Sequence, residues 1–408
     1  MQILFVHQNF PAQYQHVAPA LQARGHQVRA ITDTVNAKPE LAPLERYSVN
    51  GKPPAGLIAH ALQFTEHVTR GQAVAQLAAR MKSEGYMPDL ICGHLGWGET
   101  LFLKDVWPAA KLLVHAEFYY QARGADVGFD REVYPLSLNA DIRVRARQAS
   151  LQLAMSTADR AQTATRFQAS VFPPDLRKKI HVVHEGINTA DCVPNPTTII
   201  QLRNATISLR PGDEVITFVN RNLEPYRGYH IFMRALPAIL AARPNARVVI
   251  VGGDEASYGG QPDPALGPSW REIYFREVRD RLDMDRVHFV GKIPYPIFLQ
   301  LMQVSAVHAY LTYPFVLSWS MLEAMSCGAL VVGSQTAPVE EVITHGENGV
   351  LVDFFDVAGW SDAIIDALAH PAKYRAMRAA ARRSVVERYD LKTIALPQQV
   401  ALVEEMLG

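Results

Sequence analysis

Short apolar runs separated by longer amphipathic stretches recur along almost the whole of this sequence. That alternation is the pattern of βαβ units, in which parallel strands buried on both faces read as continuous hydrophobic runs. The first half has such runs at residues 3–6, 27–31, 90–92, 112–115, 160–163 and 180–183, with helical patterns between them, as at 73–82 and 138–155. Residues 188–213 are rich in turn formers, including Pro194, Asn195, Pro196, Pro211 and Gly212, and read as a hinge. The runs resume at 215–220, 247–251, 287–289, 306–311, 329–332 and 350–352, and the chain from about residue 373 onward is almost entirely helical.

A chain of 408 residues exceeds one ordinary core and favours two α/β domains of similar size. The expected organisation is a domain at 1–190, a hinge at 191–212 and a second domain at 213–385. Residues 386–408 form a C-terminal helix that packs back on the first domain. Two doubly wound sheets bind ligands beyond the carboxyl ends of their strands. Forty acidic residues balance forty basic ones, which gives no reason to expect nucleic acid as a partner. Residues 141–180 are a local exception, with Arg143, Arg145, Arg147, Arg160, Arg166, Arg177, Lys178 and Lys179 against Asp141, Asp159 and Asp175. A solvated helix face and an anionic-surface site both fit that stretch.

Three widely spaced cysteines, Cys92, Cys192 and Cys327, argue against a disulfide framework or a zinc site and fit a reducing compartment. The N-terminal run lacks a basic leader and a small-residue cleavage site, and no apolar stretch nears the roughly 20 residues that span a bilayer. The expectation is a cytoplasmic protein, with peripheral contact at the inner face of a membrane left open.

Cofactor fingerprints are missing. The turn after the first strand is His7-Gln8-Asn9-Phe10-Pro11-Ala12-Gln13, without a glycine, and Gly252-Gly253-Asp254-Glu255 has no third glycine. Neither the dinucleotide fingerprint nor a Walker loop is present, which disfavours NAD or ATP chemistry. In the second half, Arg221-Asn222-Leu223-Glu224-Pro225-Tyr226-Arg227-Gly228 leads from a strand into a helix. Two guanidiniums six apart can converge on one diphosphate, or they can be a pair of exposed loop arginines. Further on, Tyr313-Pro314-Phe315-Val316-Leu317-Ser318-Trp319-Ser320-Met321-Leu322-Glu323 opens a helix near Ser318, whose N-terminal N–H groups suit a phosphate. Glu323 can accept both ribose hydroxyls, or it can close a capping box with Ser320.

Together these segments resemble the donor-binding half of the retaining glycosyltransferases of family 4, which have the GT-B fold: two Rossmann-like domains facing across a cleft. The resemblance is dense over residues 215–355. It implies that Arg221 and Arg227 stand at the family's Arg-x5-Lys pair on the diphosphate. Glu323-Ala324-Met325-Ser326-Cys327-Gly328 matches the family helix whose glutamate holds the ribose. Leu317, Ser318 and Ser320 then lie at the phosphates, Gly252 flanks the nucleotide, and Lys292 and Ile293 lie against the base. In the first half, His115 resembles the histidine that faces the reacting carbon. His16 matches a histidine near the cleft, with His94, Trp97 and Glu99 on the acceptor side or in plain turn structure. Glu185, in the loop Val183-His184-Glu185-Gly186-Ile187-Asn188, reads as hinge or cleft lining.

The family pattern Glu-x7-Glu places its first glutamate at Phe315, so the usual contact to the donor sugar must come from elsewhere, with the polar loop at 335–336 the expected substitute. The implied function is retaining, metal-independent transfer of a sugar from a UDP- or GDP-type donor to a glycan, glycolipid or other glycoconjugate, with no cofactor. The absence of an Asp-x-Asp motif near the expected cleft accords with that. A sugar-nucleotide epimerase of the same fold, or a nucleotide-sugar-binding protein that has lost catalysis, are the alternatives.

Overall fold

The structure is a computed structural model and describes residues 1–49, 56–202 and 206–408. It divides into two compact units, Met1–Gly186 with Lys392–Gly408, and Ile187–Leu391.

The first unit contains a parallel sheet of β1 (Gln2–Val6), β2 (Gln27–Asp33), β3 (Leu44–Tyr47), β4 (Leu90–His94), β5 (Lys111–His115), β6 (Arg160–Thr163) and β7 (Ile180–Val182). Their order is β3-β2-β1-β4-β5-β6-β7, so the direction of winding reverses between β1 and β4. That switch point is where such a sheet leaves an opening beyond its strand ends. β1 and β4 are almost wholly apolar because helices cover both faces of the sheet. The last helix, Leu396–Leu407, belongs to this unit and puts Val400, Leu402, Val403 and Met406 into a core with Ile3, Phe5, Leu21 and Cys92. Each such side chain contributes on the order of 1.5–3 kcal/mol when fully buried.

In the second unit β10 (Val215–Asn222), β11 (Arg247–Gly253), β12 (Val287–Gly291), β13 (Val307–Tyr310), β14 (Leu330–Ser334) and β15 (Val350–Val352) form a parallel sheet ordered β12-β11-β10-β13-β14-β15. Winding reverses between β10 and β13. Residues 191–212, expected as a hinge, are part of this unit. β8 (Ile200–Leu202) and β9 (Ile207–Leu209) pair antiparallel, and Ile200 and Leu209 enter the core beside Met302, Met325 and Val331. Residues 203–205 of that stretch lie outside the described residues. The helix Arg375–Tyr389 also packs here through Ala381 and Val385.

All three cysteines are buried free thiols. Among the described residues no helix is long and apolar enough to cross a membrane.

Candidate active site

The loops at the carboxyl ends of β10 and β13 carry most of the donor-side residues. Gly228 fixes their spacing. Its backbone is left-handed (φ +68°), and a Cβ there would stand 2.2 Å from Leu311 Cβ, so only glycine lets the helix Tyr229–Ala242 start this close to the end of β13. Gly252, at the end of β11, is similarly confined, with Leu223 Cδ2 2.7 Å from any added Cβ.

The two arginines differ in environment. Arg221 is exposed on β10. Arg227 is 3% exposed, and its Nη1 donates to Thr312 Oγ1 at 2.8 Å and to the Val316 carbonyl at 2.9 Å. Arg227 therefore ties down the turn that precedes the helix Trp319–Cys327 instead of standing open beside Arg221. Over its guanidinium lie the rings of Tyr258, 4.8 Å away, and Phe315, 5.7 Å away.

Ser318 caps that helix and accepts from the Ser320 N–H at 3.4 Å, while its own N–H donates to the Tyr310 hydroxyl at 2.7 Å. The capping box of Ser320 with Glu323 does not form, since the cap stands two residues earlier. Glu323 lies beyond the first turn, 7% exposed, and its Oε1 accepts from the Tyr295 hydroxyl at 2.8 Å. Burial pushes its carboxyl up to about 7, against the opposing pull of the Tyr295 bond. Tyr295 opens the helix Tyr295–Val304, directly after the loop that holds Lys292 and Ile293. Lys292 is exposed and pairs with Glu255 at 2.8 Å; Ile293 and Leu317 rest against the core.

Phe315 is 2% exposed and packs against Tyr226 and Tyr258. In the polar loop at 335–336 the two side chains differ, Gln335 being exposed. Thr336 is buried and donates to the Thr312 carbonyl, which commits it to the loop framework.

In the first unit, β1, β4 and β5 bring three buried histidines together at their carboxyl ends. His94 and His115 are register partners, and their ring centroids are 5.3 Å apart. His7 stands 5.5 Å from His94. Burial drives His7 down to about 3 and holds His94 and His115 below the usual imidazole range, so all three are neutral at pH 7. His115 Nε2 is 3.4 Å from Glu185 Oε1, and the backbone at 184 and 185 is held in turn by Gln399 of the C-terminal helix. His94 accepts from the Gly96 N–H, and half-exposed Trp97 stacks on its ring. Glu99 is fully buried and accepts from the Tyr47 hydroxyl at 2.8 Å, and burial raises it to about 7. His16 is exposed at the start of the helix Val17–Ala23 and makes no cap bond.

His7, Tyr258 and Tyr295 escape the sequence reading. His7 directly follows the first strand, in the turn read only for its lack of a glycine. Tyr258 and Tyr295 reach their partners only through tertiary contact, and no local pattern marks them.

Residues 24–192 match the Glycosyl transferase family 4 group model, and residues 203–384 match Glycosyl transferases group 1. The chain is 27% identical over 182 residues to the D-inositol 3-phosphate glycosyltransferase of Rhodococcus opacus, which takes in 44% of this chain and 38% of that one. To the protein of that name from Mycobacterium avium it is 26% identical over 307 residues, 70% of this chain and 68% of the relative. The chain thus spans little more than a third of the first relative's length and about two thirds of the second's. Among solved structures, that of Anabaena HepE in complex with UDP and glucose superposes with a TM-score of 0.68 at 19% identity, covering 99% of both chains. The two family matches, the GT-B likeness and the two parallel sheets agree: this chain belongs to the group 1 glycosyltransferases, with a family 4 N-terminal half.

Proposed function

We propose that this protein transfers a sugar from a UDP- or GDP-type donor to a glycan, glycolipid or other glycoconjugate, with retention and without a metal. The second unit takes the donor, and the first contributes the acceptor side. The observation that carries this reading is the Glu323 carboxylate. It is buried on the helix at the end of β13, has one oxygen fixed by Tyr295, and so is oriented to accept from a ribose. Arg221 and the N-terminus of the same helix neutralise charge that develops on the leaving diphosphate. In the first unit, burial favours the neutral form of His115. HepE, the structural neighbour, has been solved with UDP and glucose, which supports a nucleotide-sugar donor of this kind.

A donor-binding protein without transfer is the second reading, favoured by the burial of Arg227 beneath Tyr258 and Phe315. Incubation with a panel of UDP- and GDP-sugars separates the two. Release of the nucleoside diphosphate, with a product of unchanged anomeric configuration by NMR, supports the transferase; stabilisation by a sugar nucleotide that is never consumed supports the binder.

A further inference from the structure

Phe315, which stands where the family pattern has a carboxylate, has a hydroxyl-bearing neighbour in Tyr258. Between the end of β11 and the helix Trp270–Val278, the chain makes a long excursion over residues 254–269, and its turn at 257–259 is bound to the loop that follows β10. Three successive N–H groups, of Ser257, Tyr258 and Gly259, converge on Glu224 Oε2 at 3.1, 3.2 and 3.2 Å. Glu224 is fully buried. Asn222 adds a hydrogen bond to Ser257 Oγ at 2.7 Å, and the indole N–H of Trp270 holds the Gly260 carbonyl at 2.8 Å. The excursion is thus anchored on both sides of Tyr258, and the anchors on one side, Asn222 and Glu224, lie between Arg221 and Arg227. Half-buried Tyr258 lies over the Arg227 guanidinium and 5.0 Å, centroid to centroid, from Phe315. Tyr258 is more exposed than either Phe315 or Arg227, which are 2% and 3% exposed.

We propose that Tyr258 is a donor-specificity residue, its ring and hydroxyl reading the sugar half of the donor while Glu224 holds its turn in place. The inference rests on the donor-binding reading above. The chemistry follows from the groups present. A tyrosine offers a flat apolar face to the C–H side of a pyranose and a hydroxyl that both donates and accepts toward the sugar's own hydroxyls. Against a cation-bearing floor, that combination discriminates epimers by whether the hydroxyl finds its partner. Glu224 is a positioning residue, since its carboxylate reaches the backbone of the turn and acts through Tyr258.

The test compares wild type, Tyr258→Phe, Tyr258→Ala and Glu224→Gln for affinity toward UDP and GDP alone and toward UDP-glucose, UDP-galactose, GDP-mannose and GDP-glucose. The expected result is an unchanged affinity for the free nucleoside diphosphate in both Tyr258 variants. Affinity for the preferred sugar nucleotide should fall about tenfold in Tyr258→Phe, the loss of one well-made hydrogen bond, and discrimination between epimers should narrow. Glu224→Gln, with thermal unfolding run alongside to confirm a folded protein, should show the same selective loss in smaller degree. Equal losses for the free diphosphate and its sugar conjugate, or no loss for either, would overturn the assignment of Tyr258. A wild type that binds no nucleoside diphosphate at all overturns the donor-binding reading itself, and the assignment with it.

Discussion

The Tyr295 hydroxyl donates to Glu323 Oε1 at 2.8 Å and holds a carboxyl that burial has pushed up to about 7. Two groups from different helices thus make one acceptor. Ribose hydroxyls are donors and need the ionised form, so affinity for a nucleoside diphosphate should rise as pH climbs from 6 to 8. Tyr295→Phe removes the bond that favours the ionised form and should move that rise to higher pH. Titration calorimetry at three pH values checks this, and a pH-independent affinity contradicts it.

The same group makes folding stability depend on pH. A carboxyl whose pKa is raised by folding is better protonated in the native state than in the unfolded one. Its contribution is therefore greatest at low pH and is lost as pH rises from the ordinary glutamate range, about 4.3, through about 7. Glu323→Gln should flatten urea stability across that window. Glu323→Ala should weaken nucleotide binding with an unfolding shift of no more than about 1–3 kcal/mol, the cost of leaving the Tyr295 hydroxyl without its acceptor, since Ser318 and not Glu323 caps the helix. A large unfolding shift with unchanged nucleotide affinity would return Glu323 to a structural role.

Arg221 and Arg227 should part company. Arg221→Ala, at an exposed position, should leave unfolding unchanged and lower kcat more than it raises KM, since leaving-group charge grows in the transition state. Arg227→Ala leaves Thr312 and the Val316 carbonyl without their donor and should cost about 1–3 kcal/mol of stability in addition to activity. Equal thermal shifts in the two variants would contradict this division.

Much of the architecture is legible in the sequence because β-runs such as residues 3–6 and 215–220 are buried on both faces and carry little else. β3 was not expected, since Leu44-Glu45-Arg46-Tyr47 is an edge strand with a polar face and no apolar run. β8 and β9 were hidden in a turn-rich stretch that reads as a hinge, although Ile200 and Leu209 supply core. On the donor side, spacing left Glu323 open between a ribose acceptor and a capping box, and only the resemblance to the family helix chose between them; the structure puts the cap at Ser318. The fate of Arg227 could not be read from spacing either. An Arg-x5-Arg spacing is the same for two open cations as for one open and one sealed by Tyr258, a residue 31 positions further on.

Gly228→Ala should destabilise the second unit. An alanine there takes a left-handed backbone and meets Leu311, so a loss of about 1–3 kcal/mol or more is expected in chemical denaturation, together with weaker nucleotide binding through displaced loops. Wild-type stability in this variant would show that the loops after β10 and β13 are not held by that contact.

The central claim is that this chain uses a nucleotide-sugar donor, and its most direct test is consumption of the donor. Wild type, Arg221→Ala and Glu323→Ala are incubated with UDP- and GDP-sugars in EDTA and a mixed pool of glycan and lipid acceptors, and release of the nucleoside diphosphate is measured. The account predicts release from at least one donor by wild type, undiminished by EDTA and strongly reduced in both variants. No release from any donor, or release at wild-type rate by both variants, would contradict it.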